Sequence, residues 1–224
     1  MLKSCLKERV FMKSIILLSG GLDSLACLAM TREKYNCELA ITFDYGQKAL
    51  DKEIEASKKI CEFYNVEHKI IKLDFLKEIT QTALVSDKEV PQDYDMKAVW
   101  VPNRNGLFLN IAGSFADSYG YNYIIIGANK EEGKTFPDNT LEFAKRVEAE
   151  FEFSTLIQPK ILIPLIEMDK EEIVKKVIDL KAPLELVHSC YLGGDKNCGK
   201  CESCLHLIEA LKKNNAEDFI KKLF

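Results

Sequence analysis

A parallel α/β fold with helices on both faces of the sheet, of Rossmann-like type, and a small cysteine-rich segment at its end is the architecture this chain predicts. Three observations carry that expectation. Apolar strand-like runs alternate with amphipathic helical stretches through most of the length. A glycine loop, Ser19-Gly20-Gly21-Leu22-Asp23-Ser24, joins the first such strand to the first such helix. Four of the eight cysteines, Cys190, Cys198, Cys201 and Cys204, lie close together near the end.

The elements follow in order. Ser14 to Leu18 is a buried strand, and Leu25 to Met30 forms the first turns of a helix. Leu39 to Phe43 is a second strand, ending in Asp44-Tyr45-Gly46-Gln47. A helix from Ala49 to Tyr64 follows, because Ile54, Ser57, Cys61 and Tyr64 recur near the helical period. His68 to Leu73 is a third strand. Residues 83–105 lack periodicity and hold Pro91 and Pro102, and a loop of that length in a compact domain is usually functional. Leu107 to Tyr119 is helical, and Tyr123 to Ile126 is a short strand ending at Gly127. An irregular stretch, 128–138, leads to a helix around Leu141 to Glu150. Lys160 to Pro164 is the last strand, and Asp169 is placed to cap a helix reaching Leu180. Ligands of such sheets bind beyond the carboxyl ends of the strands, where the glycine loop, Asp44 to Gln47 and Gly127 all fall.

The expected division is 12–185 for the α/β domain and 186–224 for the metal segment with a terminal helix packed on it. Met12-Lys13 looks like a natural start, which makes residues 1–11 an extension. At 224 residues the chain can bury one sizeable core. A net charge of −4 argues against a broad phosphate-binding surface, so nucleic acid is not expected as a partner. No apolar run approaches the ~18 residues of a membrane span, and no secretory leader is visible, so the expected compartment is the cytoplasm. Cys27 and Cys61 fall in helical patterns and read as buried thiols.

A strand, a tight glycine turn and a helix N-terminus present several backbone N–H groups to one anion, with the helix dipole behind them. Gly20 and Gly21 let the backbone approach a phosphate, and the Ser19 and Ser24 hydroxyls can donate to it. The loop has no lysine and is not a Walker A sequence. Asp23 beside phosphates makes sense mainly as a magnesium ligand. The alternative is an ordinary glycine turn. Gly127 to Thr135 imitates a Walker A, but five residues separate its glycines instead of four, and two glutamates sit where phosphates would.

The cysteine spacing is C-x7-C-x2-C-x2-C, with small polar residues between. Four thiolates satisfy tetrahedral zinc and leave no open position, so the expected site is structural. Iron–sulfur ligation, and a disulfide pair or free thiols, are the alternatives; His188 and His206 flank the cluster and could substitute as ligands. Arg104, in Val101-Pro102-Asn103-Arg104-Asn105, suits a phosphate or carboxylate through parallel N–H bonds, or the pentapeptide is a proline turn and helix cap. Lys170 either meets a pyrophosphate or is solvated.

The hexapeptide Ser19 to Ser24 resembles the S-G-G-x-D-S loop of the PP-loop ATP pyrophosphatases, which cleave ATP between its α- and β-phosphates. Phe43 to Gln47, Val101 to Asn105, Pro164-Leu165 with Lys170, and Ser189-Cys190-Tyr191 through Cys204 follow in order. Over about residues 13–211 this combination resembles the 7-cyano-7-deazaguanine synthase family of the queuosine pathway. One stretch departs from the family's D-x-x-G-Y-P-D-C: Glu132, Thr135, Phe136 and Asn139 replace the aspartate, glycine, tyrosine and cysteine, while Pro137 and Asp138 remain.

The resemblance implies conversion of 7-carboxy-7-deazaguanine, ATP and ammonia to a nitrile by way of adenylated intermediates and an amide. It implies ATP with magnesium held by Leu18, Ser19, Gly20, Gly21, Leu22, Asp23, Ser24, Leu25, Ala26, Cys27 and Leu28, with Asp44, Gln47 and Gly127. Tyr45, Asn103, Arg104, Asn105, Phe136 and Asp138 would meet the substrate, and Asp23, Ser24, Arg104 and Lys170 would act in catalysis. One structural zinc and a homodimer are implied as well. The rivals are a PP-loop relative that adenylates another target, in deazaguanine conjugation or RNA thiolation, and a zinc-ribbon binding module on an inert domain.

Overall fold

The computed structural model describes residues 12–89 and 96–224, so the proposed extension 1–11 and Pro91 lie outside the described residues. β1 (Ser14–Leu17), α1 (Leu22–Tyr35), β2 (Cys37–Asp44), α2 (Leu50–Tyr64) and β3 (Glu67–Lys72) run consecutively. α3 (Asp74–Ile79), α4 (Met96–Val99) and α5 (Arg104–Tyr119) precede β4 (Tyr123–Ile125). α6 (Leu141–Ser154), β5 (Lys160–Leu162), α7 (Lys170–Asp179), α8 (Glu202–Lys213) and α9 (Glu217–Leu223) complete the order.

All five strands are parallel, in the order β3-β2-β1-β4-β5. The chain lays β2 and β3 to one side of β1 and then crosses to β4 on the other. The strand order therefore reverses at β1 and β4, and a crevice opens there above the carboxyl ends.

Successive residues of β1 point to opposite faces and feed two cores. Ile16 and Ala40 join Leu25, Leu28, Val174 and Leu207, so α1, α2, α7 and α8 cover one face. Ile15, Leu17, Leu39 and Ile41 join Leu109, Ala112, Val147 and Phe151, so α5 and α6 cover the other. With both faces covered, every residue of β1 is buried, which is why that strand reads as an unbroken apolar run. Cys27 and Cys61 are buried free thiols, as expected. Among the described residues no helix is long and apolar enough to cross a membrane.

Several boundaries differ from expectation. α5 begins at Arg104, before the predicted Leu107, because Asn103 takes a left-handed φ of 55° and turns the chain into the helix. Its side chain then folds over Gly106, where a Cβ would stand 2.2 Å from Asn103 Oδ1. α6 runs on to Ser154, because Phe151, 1% exposed, packs against Gly113 of α5. The irregular 83–105 stretch contains the short α4, and α3 was not anticipated. Residues 128–138 hold two short 3-10 turns, Glu132–Lys134 and Pro137–Asn139. Asp169 caps α7 as expected, through a reciprocal pair of hydrogen bonds with Glu172.

Candidate active site and metal centre

The glycine loop leaves β1 and enters α1 beside the crevice. Gly20 has φ +76°, and a Cβ there would meet Ala56 Cβ and Glu53 O at 2.8 Å, so the loop lies directly on α2 and only glycine fits. A Cβ on Gly127, after β4, would stand 3.2 Å from Asp23 C and Ser24 N. The turn after β4 is thereby pressed onto the N-terminus of α1. Ser24 Oγ donates to Gly21 O at 3.0 Å, and Ser19 Oγ lies 3.4 Å from both Ser24 Oγ and Gly21 N.

Asp23 is not a bare carboxylate. Lys170 Nζ lies 2.8 and 3.0 Å from its two oxygens, and Asn129 Nδ2 donates to Oδ2 at 3.1 Å. Glu132 stands 3.9 Å from the same ammonium. The charge of Asp23 alone therefore does not require magnesium, and Lys170 is committed to that carboxylate. Burial opposes the charge on Lys170, but Asp23 and Glu132 outweigh it and carry the ammonium up to about 12. Asn129 is fully buried, and its Oδ1 accepts from Glu131 N and Glu132 N at 3.0 Å. It ties the loop after β4 to the glycine loop, and no motif in the sequence announced it.

These residues border a cleft of about 530 Å³. Leu18, Ser19, Gly21, Leu22, Asp23, Ser24, Gln47 and Gly127 line it, as do Tyr45, Arg104, Asn105, Phe136, Asp138 and Lys170. Gly20, Asp44 and Asn103 do not line it. Leu25, Ala26, Cys27 and Leu28 of α1 are wholly buried, and their side chains pack the core. Gln47 is spent on the backbone: Oε1 accepts from Tyr45 N, and Nε2 donates to Phe43 O and to Glu53. Asp44 Oδ1 accepts from Gly46 N at 3.2 Å.

Arg104 Nη1 donates to Tyr45 Oη at 3.3 Å. Asn105 Nδ2 reaches Asp138 O and Asn139 Oδ1 at 3.4 and 3.5 Å. The Trp100 and Phe136 rings lie parallel within 5°, with centroids 6.1 Å apart, and both border the cleft. Trp100 was missed because it sits outside every motif.

Glu132 is pushed from 4.5 up to about 7, first by burial and then by the Asp23 charge, while Lys170 pulls the other way. Burial likewise raises Glu53 to about 6, against the lowering effect of Gln47 and Arg104. A raised carboxyl holds its proton longer in the folded protein than in the unfolded one. Its stabilising contribution is present below the unfolded value and is lost as pH rises through about 7. Glu132→Gln should therefore flatten part of the fall in Tm between about pH 4.5 and 7, with Glu53 supplying the remainder. An unchanged Tm–pH curve would assign that titration to other groups.

The four cysteine Sγ atoms lie within 4.8 Å of one another, and Cys198 and Cys204 are 3.8 Å apart. Bonds of about 2.3 Å to one tetrahedral ion put sulfurs about 3.8 Å apart, so the donor set fits such an ion. Backbone amides of Leu192 and Cys198 donate to Cys190 Sγ, and those of Lys200 and Cys201 to Cys198 Sγ. Donors aimed at sulfur favour thiolates, the form that binds metal.

A sheet in this order, with a lysine-free glycine loop at its switch point, defines a PP-loop type of α/β protein. Two solved structures share the fold. They are U34-tRNA thiolase NcsA from Methanococcus maripaludis (TM-score 0.52, 18% identity, covering 95% of this chain and 70% of that one) and NH3-dependent NAD synthetase from Campylobacter jejuni (TM-score 0.51, 15% identity, covering 97% and 81%). The family model for queuosine biosynthesis protein QueC matches residues 13–215. The 7-cyano-7-deazaguanine synthase of Methanosarcina barkeri is 50% identical over 223 residues, covering 92% of this chain and 96% of that protein. The one from Carboxydothermus hydrogenoformans is 48% identical over 209 residues, covering 88% and 97%. The chain belongs to the QueC family of 7-cyano-7-deazaguanine synthases.

Proposed function

We propose that this chain converts 7-carboxy-7-deazaguanine and ammonia to 7-cyano-7-deazaguanine at the expense of ATP. The observation that carries the reading is the glycine loop at the switch-point cleft, with Asp23, Asn129 and Lys170 gathered at its rim. A carboxylate resists ammonia because it offers only a poor leaving group. Attack of the carboxylate on the α-phosphorus of ATP gives an acyl-adenylate and pyrophosphate, and ammonia then displaces AMP to leave the amide. The amide oxygen then attacks the α-phosphorus of a second ATP and releases pyrophosphate; departure of AMP with loss of the nitrogen's two protons leaves the nitrile.

The chain's own part is positioning and charge stabilisation. The N-terminal end of α1 and the Ser19 and Ser24 hydroxyls would hold the phosphates. The Asp23 carboxylate would be shared between Lys170 and a magnesium ion, which would supply charge neutralisation at the departing pyrophosphate. Arg104, held by Tyr45, and the parallel Trp100 and Phe136 rings suit a flat heterocycle carrying a carboxylate. Asn105 and Asp138 complete that end of the cleft.

The four cysteines would hold one structural zinc. The reading includes a cytoplasmic homodimer, an α/β domain over 12–185 and a metal segment over 186–224. Nucleic acid is not expected as a partner. Thin-layer separation of products from labelled ATP tests the chemistry: AMP and pyrophosphate are expected, and ADP as the main product would refute it.

A further inference from the structure

Gly21 stands at the N-cap of α1 and has no side chain to cap it. Ser189, 167 residues away from Leu22 in sequence, supplies the missing group: its Oγ accepts from Leu22 N at 3.1 Å. The serine is fixed on every side. Its N donates to Asn197 Oδ1 at 3.0 Å, and its carbonyl accepts from Ser203 Oγ at 2.6 Å. His188 N donates to Gly20 O at 2.9 Å, and Cys190 is one of the four clustered thiols. The segment carrying the cysteines is thus stitched onto the glycine loop at Gly20 and Leu22.

A hydroxyl has one proton to give. With Leu22 N–H filling an acceptor position, the Ser189 proton is left over, and it has no acceptor among the described residues. Ser189 borders the cleft together with Ser19, Gly21 and Asp23. An unused donor beside an anion-binding loop is placed to serve the anion, and hydrogen bonds to charged oxygens are the stronger kind.

We propose that Ser189 donates its Oγ–H to a phosphate oxygen of the nucleotide in the glycine loop, so that the cysteine-bearing segment contributes directly to the phosphate site. The inference rests on the nucleotide reading above. It goes further in assigning a phosphate ligand from a part of the chain far from the loop.

Calorimetric titration of inorganic pyrophosphate into wild type, Ser189→Ala and Ser189→Thr tests it, with metal content measured on each sample. Loss of one hydrogen bond to a charged group should weaken Kd by roughly tenfold to a hundredfold in Ser189→Ala. Ser189→Thr keeps the hydroxyl and should bind nearly as wild type, and all three should carry the same metal. Wild-type affinity in a metal-replete Ser189→Ala protein overturns the inference and leaves the nucleotide reading standing. Failure of wild type to bind pyrophosphate at all overturns both. Should Ser189→Ala not fold, a structure of the wild-type complex decides. Ser189 Oγ near 2.7 Å from a phosphate oxygen supports the proposal, and a separation beyond about 4 Å overturns it.

Discussion

Replacing Asp23 with asparagine is expected to lower turnover by about a hundredfold or more, the scale on which single charge-stabilising groups act in transition states. The amide would keep the shape of the side chain and an oxygen for Lys170. What it would lose is the negative charge that holds Lys170 in place, at 2.8 and 3.0 Å, and that would hold a divalent cation. Without magnesium the pyrophosphate anion would meet a more positive loop, so its binding should hold or tighten, while kcat measured with magnesium falls. That split separates a role in the transition state from a role in binding. Fold and metal content should stay intact, because Asp23 belongs to neither core. If Asp23 were only a favourable first-turn acid on α1, asparagine would cost a few tenths of a kcal/mol and turnover would persist. Near-normal kcat with unchanged magnesium dependence would remove Asp23 from the site.

Cys201→Ser is expected to abolish metal binding and, with it, the order of the segment from His188 to Glu202. Structural zinc in small peptides contributes about 10–16 kcal/mol, as much as the whole stability of a domain, ~5–15 kcal/mol. The sheet has cores of its own, and Leu207, Ala210 and Leu211 of α8 pack into one of them with α1 and α7. Metal loss should therefore melt the cysteine loop first and leave the sheet folded. The glycine loop should suffer too, since Gly20 O and Leu22 N are held by His188 and Ser189. Metal analysis and far-UV circular dichroism of the variant provide the check. Full zinc occupancy in Cys201→Ser would sink the assignment, and iron in the wild-type protein would replace zinc with a cluster.

What was legible in the chain was whatever short-range spacing encodes. The glycine pair sits where an apolar run gives way to a helical period, so strand, loop and helix could be read together. The cysteines at 190, 198, 201 and 204 needed no tertiary contact to be recognised. The start of α5 was hidden because Arg104-Asn105-Gly106 carries no apolar stripe; a left-handed Asn103 sets that boundary. The partner of Asp23 was hidden for another reason: Lys170 lies 147 residues away, and only the sheet order brings α7 beside the β1 loop. Leu25 to Leu28 show how a helix divides its work: their side chains turn into the core, which leaves only the backbone at the start of α1 for the loop's ligand. Asn129 and Ser189 act through partners 106 and 167 residues away, Asp23 and Leu22, which local spacing does not encode.

Incubation of the purified protein with 7-carboxy-7-deazaguanine, ATP, magnesium and ammonium, followed by mass analysis, tests the central claim most directly. The account predicts that 7-cyano-7-deazaguanine appears with AMP and pyrophosphate, and that the amide accumulates transiently before it. Unchanged carboxylate after prolonged incubation of metal-replete protein, or ATP consumed only to ADP, would contradict it.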